Sequence, residues 1–170
     1  MKRMTMLLAL AAALTLLTAS PSLALEKPGK MLPPMSLPDV DGLTHDLQAL
    51  TKDKTTLAVY WSVTCPHCQR EMPHLLSLAK RLEGNPFVLL LINTDGQTMA
   101  KVVEAYAQGH RLPGLLLMDI GPKDSLPFAD AFDIVATPGV LVFDRTGKLV
   151  QAQELSLDMG KLQKGIESAF

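Results

Sequence analysis

Three continuous apolar stretches stand out along the chain, and the first two predict strands that are buried on both faces. They are TTLAVYWSV, FVLLLINTD and LPGLLLMDI, at residues 55–63, 87–95 and 112–120. Apolar residues recur at helical spacing from Pro66 to about Leu82, which predicts an amphipathic helix. Residues 97–109 show the same spacing, and Gly109 is expected to close this second helix.

Turn signals predict a hairpin near each end of the chain. Short alternating patches flank Asp41-Gly42, and two strands are joined around residues 145–147. A short helix is expected within residues 124–132, and residues 156–170 predict a C-terminal helix with Ser156 as its N-cap. This order of elements predicts an α/β sandwich around a mixed sheet, since the last hairpin makes at least one edge antiparallel.

Composition favours one folded domain. The chain has 170 residues, a net charge of −1 and 48% hydrophobic residues, which suits a compact domain with a core and argues against disorder. A nearly neutral charge balance gives no electrostatic reason to expect binding to nucleic acid. Residues 25–34 are rich in proline and predict an extended lead-in to a single domain at residues 35–170.

Residues 1–24 have the pattern of a secretory signal peptide. Lys2 and Arg3 precede a long apolar run, and Ser22 and Ala24 place small residues just before a cleavage site. The run is also long enough to span a bilayer, so an uncleaved membrane anchor stays open. In both cases the two basic residues keep the N-terminus inside, and the domain is expected outside the cytoplasm.

The stretch SVTCPHCQREMP, residues 62–73, contains both cysteines of the chain, Cys65 and Cys68. Outside the cytoplasm an even number of cysteines usually indicates disulfides. A disulfide across two intervening residues closes a very small loop and would constrain the unfolded chain little. The pair is therefore better suited to making and breaking a disulfide than to stabilising a fold.

The two cysteines are expected to differ in reactivity. Cys65 follows a predicted buried strand and begins a predicted helix, where unpaired N–H groups and the helix dipole favour the thiolate. Pro66 suits the first helical turn, because its missing N–H costs nothing there. Cys68 lies about one turn further into the helix. Cys65 is therefore the expected attacking sulfur, and Cys68 the resolving one.

Two longer stretches, VYWSVTCPHCQREMPHL and DIVATPGVLVFDRTGKLV, resemble the TlpA/ResA-type thiol-disulfide oxidoreductases of the thioredoxin superfamily. The strongest parts are Cys-x-x-Cys-x-x-Glu-x-Pro, the Thr-Pro pair before a strand and the Asp-x-x-Gly-Lys turn. The resemblance covers essentially the whole mature chain. It implies a thioredoxin-like three-layer sandwich, with a mixed central sheet flanked by helices and an N-terminal β-hairpin extension.

The resemblance assigns roles to residues outside the cysteine pair. It implies that the Thr137-Pro138 peptide is cis and packs against Cys-x-x-Cys, leaving the backbone of Thr137 free to pair with a substrate. Pro66, Thr137 and Pro138 are therefore the expected substrate-binding residues. Glu71 would accept the proton of Cys68 when that thiol attacks, or would instead pair with His67.

His67 lies between the cysteines, where a protonated imidazole or its N–H can stabilise the Cys65 thiolate. Its Pro-His dipeptide resembles that of the DsbA oxidases, which argues for a more oxidising couple. Pro73 resembles the proline that kinks the same helix in thioredoxins. Two positions depart from thioredoxin itself: Val59 stands where it has a buried aspartate, and Thr64 where it has a tryptophan.

The sequence thus predicts an exported thiol-disulfide oxidoreductase. It is expected to reduce disulfides of particular periplasmic proteins, with cytochrome c precursors as the best-known substrate class of the family. A membrane thiol-disulfide transporter would supply electrons, and no cofactor is expected.

Other interpretations remain open, first among them a disulfide oxidase or isomerase and a copper-handling protein of the same fold. Structural zinc needs four ligands, and His45, His74 and His110 lack ligand spacing. A peroxiredoxin would need threonine three residues before its reactive cysteine, where this chain has Ser62. A binding module that merely kept the scaffold would not require the full set of site residues.

Overall fold

The computed structural model describes residues 28–170, so the predicted signal segment 1–24 lies outside the described residues. The described elements start with strands β1 (Ser36–Pro38) and β2 (Thr44–Asp46), followed by the short helix α1 (Leu47–Thr51). The remaining elements are β3 (Thr55–Trp61), α2 (Pro66–Lys80), β4 (Phe87–Asn93), α3 (Ala100–His110), β5 (Leu115–Met118), α4 (Pro127–Phe132), β6 (Gly139–Phe143), β7 (Leu149–Glu154) and α5 (Met159–Ser168). Within the described residues, no helix has the length and apolar composition needed to cross a membrane.

A five-stranded sheet with the order β5-β4-β3-β6-β7 forms the centre of the molecule. Strands β3, β4 and β5 run parallel, whereas β6 and β7 pair antiparallel beyond β3. Strands β1 and β2 form a separate antiparallel hairpin. The expected three-layer sandwich with a mixed sheet and an N-terminal hairpin is therefore confirmed.

Side chains of β3 alternate between two cores on opposite faces of the sheet. Val59 and Trp61 join the core that contains Cys68 and Met72 of helix α2. Tyr60 joins the second core, which is rich in phenylalanine side chains from α4 and β6. All seven residues of β3 are buried, which is why its sequence is apolar or β-branched without alternation.

Both predicted hairpins are present, and each has a glycine with positive φ in its turn. Gly42 has φ +85° between β1 and β2, and Gly147 has φ +84° between β6 and β7. The described part of the lead-in adds a short pairing to this second hairpin. Gly29 N donates to Leu149 O at 2.7 Å, and Leu149 N donates to Lys30 O at 2.8 Å.

Two predicted helix ends are wrong. The N-cap of α5 is Asp158, whose carboxylate accepts from Lys161 N at 2.9 Å, and not Ser156. Ser156 N instead donates to Glu154 O in a turn that follows β7, so the helix begins later. Gly109 does not close α3, because the left-handed conformation that ends this helix is adopted by Arg111, with φ +52°.

Candidate active site

Cys65 and Cys68 form a disulfide at the start of α2. Cys65 is the N-cap of the helix, and its Sγ accepts a hydrogen bond from Cys68 N at 3.0 Å. Pro66 occupies the first helical position, where no intrahelical donor is needed. Cys68 is buried, with 2% of its surface exposed, whereas Cys65 is half-buried. An incoming sulfur therefore reaches Cys65 more easily than Cys68.

The loop before β6 lies against the disulfide. The Thr137-Pro138 peptide is cis, and Cys65 Sγ lies 3.5 Å from the carbonyl oxygen of Thr137. Pro138 is buried and Thr137 is half-buried. The backbone N–H of Thr137 has no acceptor among residues 28–170. Two segments 72 residues apart in sequence thus meet at one sulfur atom.

A carboxylate that the sequence analysis missed holds this loop. Glu154 Oε1, at the end of β7, accepts from the backbone N–H groups of Val135 and Ala136, both at 2.8 Å. Leu155 N donates to Pro138 O at 2.9 Å from the same strand end. The loop that carries Thr137 is therefore tied to β7 on both sides of the cis peptide.

A second unpredicted carboxylate holds the loop that leads to Cys65. Asp95, just beyond β4, accepts from Ser62 Oγ at 2.5 Å and from Val63 N at 2.8 Å. Asn93 Nδ2 donates to the same carboxylate at 2.7 Å. Parallel strands end at the same edge of a sheet, so a polar residue after β4 was a usable signal for this contact.

His67 and Glu71 do not pair with each other. His67 is exposed and accepts a hydrogen bond at Nδ1 from Arg70 Nη2, 2.8 Å away. A guanidinium has no acceptor atom, so this contact requires an unprotonated Nδ1 and leaves only Nε2–H as a donor. Glu71 is half-buried, and its side chain has no hydrogen bond or ion pair with any other described residue.

The two positions that depart from thioredoxin, Val59 and Thr64, differ in their exposure to solvent. Val59 is fully buried in the core on the α2 side, so no carboxylate lies at that point of β3. Thr64 is exposed, and its N–H donates to Ser62 Oγ at 3.1 Å. Asp119, which follows β5, is fully buried, and its hydrogen-bond partners Phe128 and Ala129 belong to the core on the other face of the sheet.

Asp119 accepts hydrogen bonds from Phe128 N at 2.8 Å and Ala129 N at 3.0 Å, so it caps helix α4 from another part of the chain. Burial raises its pKa above the ordinary value, since removal from water disfavours the charged form. Burial likewise raises the pKa of Tyr60, whose hydroxyl donates to Thr94 Oγ1 at 2.8 Å.

Metal ligands are not clustered in the part of the chain that the structure describes. No group of three or more His, Cys, Asp or Glu side chains among residues 28–170 is placed to hold one ion. His45 instead bonds to Asp39 at 2.8 Å, and the His110 ring stacks on Tyr106 with 4.1 Å between centroids. The Cys65–Cys68 pair supplies thiol–disulfide chemistry at this site.

The chain belongs to the AhpC/TSA family, whose model matches residues 28–152. It is 24% identical over 128 residues to the thiol-disulfide oxidoreductase ResA of Halalkalibacterium halodurans, which covers 75% of this chain and 69% of that protein.

Solved structures agree with this assignment. A protein assigned as a thioredoxin from Neisseria meningitidis has a TM-score of 0.70 and 26% identity, with 84% of this chain and 91% of that chain covered. The thioredoxin domain of a Bacteroides vulgatus thiol-disulfide oxidoreductase has a TM-score of 0.69 and 22% identity, with 85% of this chain and 99% of that chain covered. The fold, the Cys65–Cys68 disulfide and these relatives place the chain among the thiol-disulfide oxidoreductases of thioredoxin fold.

Proposed function

We propose that this chain is an exported reductase of disulfides in particular periplasmic proteins, of the kind used in cytochrome c maturation. The observation that carries the proposal is the position of Cys65 Sγ, at the N-terminus of α2 and 3.5 Å from the carbonyl of Thr137. A membrane thiol-disulfide transporter would return electrons to the pair. The signal pattern in residues 1–24 supports export, with a cleaved signal or an anchor as the two possible forms.

Reduction of a partner proceeds through a mixed disulfide. The Cys65 thiolate attacks one sulfur of the partner's disulfide, forms a bond to it and releases the partner's other sulfur as a thiolate. Cys68 loses its proton and attacks Cys65 Sγ, which forms the Cys65–Cys68 disulfide and releases the partner's second thiolate. Two electrons pass from the pair to the partner, and the two released thiolates take up one proton from Cys68 and one from the solvent.

The surroundings of each sulfur suit this sequence of steps. The hydrogen bond from Cys68 N and the helix dipole favour the Cys65 thiolate. Glu71 shares a helix face with Cys68 and has no competing partner among the described residues, so its carboxylate is available to accept the Cys68 proton. The N–H of Thr137, which has no acceptor among residues 28–170, can pair with an extended partner segment and hold that segment beside Cys65.

A trapping experiment tests the proposal. In a Cys68→Ala variant, Cys65 can attack a partner but nothing displaces it, so mixed disulfides with exported proteins should accumulate. They should disappear on treatment with a reductant and be absent in the Cys65→Ala control. A Cys68→Ala protein that traps no partner in the oxidising compartment would overturn the proposal.

The direction of electron flow needs a separate measurement. The Pro-His dipeptide favours an oxidase, and the Arg70 cation beside His67 adds positive charge near the pair. The redox state of Cys65 and Cys68 in cells, measured by thiol alkylation, distinguishes a reductase from an oxidase. A reductase should be found mainly as the dithiol, whereas a pair kept fully oxidised would assign the chain as an oxidase.

The peroxiredoxin alternative finds no support at Ser62. Its hydroxyl donates to the Asp95 carboxylate at 2.5 Å, and Ser62 Oγ also contacts Thr64 Oγ1 at 2.9 Å. The hydroxyl is therefore directed towards the carboxylate rather than towards the Cys65 sulfur.

A further inference from the structure

The three residues between β3 and Cys65 are held from outside their own segment. The carboxylate of Asp95 accepts from Val63 N and Ser62 Oγ, which lie 32 and 33 residues before it in sequence. Asn93, which is fully buried, supports Asp95 in turn, because its side-chain oxygen accepts from Asp95 N at 2.9 Å and its amide donates to the carboxylate. The loop is thereby attached to the neighbouring strand.

Each hydroxyl hydrogen in this network has a defined acceptor. Ser62 has one hydroxyl proton, which goes to Asp95, so the hydroxyl of Thr64 must be the donor in its contact with Ser62 Oγ. Thr64 N donates to the same oxygen at 3.1 Å. Gln69 Nε2, from α2, donates to Val63 O at 2.9 Å. The backbone N–H and C=O of Val63 are therefore both hydrogen-bonded.

We propose that Asp95 is a positioning residue for the attacking sulfur, an inference that rests on the proposed thiol-disulfide chemistry. Stabilisation of a Cys65 thiolate depends on the position of Sγ relative to the N–H of Cys68 and to the helix terminus. The effect of a helix terminus falls off within one turn, so a small displacement of Cys65 weakens it. Asp95 keeps the preceding loop in place and thereby keeps Sγ there.

Two substitutions separate the hydrogen bonds of Asp95 from its charge. Asp95→Asn and Asp95→Ala remove the same negative charge, but asparagine retains the network. Its carbonyl oxygen can accept from Val63 N and Asn93 Nδ2, and its amide can donate to Ser62 Oγ, whose proton then turns to Thr64. Asp95→Ala leaves the Val63 and Asn93 donors without their acceptor. A difference in Cys65 reactivity between the two variants therefore reports the loss of the hydrogen bonds and not the loss of the charge.

The readout is the pH profile of iodoacetamide alkylation of Cys65, measured in the Cys68→Ala background so that one thiol reacts. We expect the asparagine variant to react at pH 7 within about threefold of the parent. The profile of the alanine variant should be shifted about one pH unit upwards from that of the asparagine variant, so that it reacts about tenfold more slowly at pH values below both pKa values. Identical profiles for the two variants would overturn the proposal.

Ser62→Ala provides a second measurement that leaves the charge of Asp95 intact. It removes the bond to Oδ1 and the acceptor of both Thr64 donors, so its profile should also shift upwards from the parent. Far-UV circular dichroism checks that each variant is folded, and Ser62→Ala decides the question if Asp95→Ala does not fold. Alkylation needs no partner protein, so failure here is distinct from failure to trap partners.

Discussion

At the scale of single residues, Glu71 is the group that we propose accepts the proton of Cys68. It lies one helical turn further along α2 and is half-buried. His67 is occupied by Arg70, so it does not compete for the carboxylate. General acid–base catalysis of this kind contributes about 10²–10⁴-fold to a rate, which makes the role measurable.

Glu71→Gln should slow the resolution step and leave the first attack intact. We expect reduction of a protein disulfide to slow by about tenfold or more, because no carboxylate accepts the Cys68 proton. Mixed disulfides should persist longer, whereas alkylation of Cys65 should change little. Insulin reduction and thiol trapping measure these effects. Glu83→Gln, an exposed glutamate beyond the end of α2, is the control and should behave as the parent.

At the scale of elements, the junction between α3 and β5 brings the amino end of β5 close to β4. Gly114 precedes β5 with φ +86°, and a Cβ built there would lie 2.8 Å from the backbone oxygen of Leu89 in β4. A side chain would thus meet both an unfavourable φ and rigid backbone. Gly84 has a similar φ of +89° but no atom within 4 Å of a built Cβ.

Gly114→Ala should destabilise the protein more than Gly84→Ala. The left-handed conformation costs each alanine about 1–2 kcal/mol, and the contact with the Leu89 backbone adds about 1–3 kcal/mol at position 114 only. Urea unfolding of both variants measures the difference in free energy of unfolding. Equal losses for the two substitutions would show that β4 yields to the extra atom and that the close approach has no cost.

At the scale of the whole molecule, the carboxyl ends of the parallel strands form one polar edge between two apolar cores. Cys65 follows β3, Asp95 follows β4, and Asp119 follows β5 at the same edge. Asp119 is fully buried, and its raised pKa reflects the loss of hydration that its two backbone hydrogen bonds only partly offset. This carboxylate therefore couples the stability of the fold to pH.

Asp119→Asn should change the pH dependence of stability in a defined direction. A raised pKa in the folded state means that the folded protein binds the proton more tightly than the unfolded chain. The contribution of Asp119 is therefore most favourable at low pH. It declines as the pH rises from the ordinary value of 3.8 through the folded pKa.

Asparagine does not titrate, so the stability of the parent relative to Asp119→Asn should fall over that range. Urea unfolding between about pH 4 and pH 8 measures it. A difference between the two proteins that stays constant with pH would contradict the coupling.

Local patterns were sufficient for the architecture. Buried strands, both hairpins and the helix after Cys65 follow from hydrophobic periodicity and turn residues, which act over a few positions. Helix ends were less predictable, because the end of a helix depends on which nearby polar group captures the free backbone donors. Asp158 does so in place of Ser156, and Arg111 rather than Gly109 adopts the left-handed conformation.

The sequence by itself determined the fold class, the cysteine pair and its place at a helix N-terminus, because each depends on contiguous residues. Only the tertiary structure decided which side chains support that pair. Asp95 reaches the Cys65 loop across 32–33 residues, and Glu154 reaches the Thr137 loop across 18–19. Such contacts exist because strand pairing brings distant segments together, and no local pattern encodes which carboxylate meets which loop.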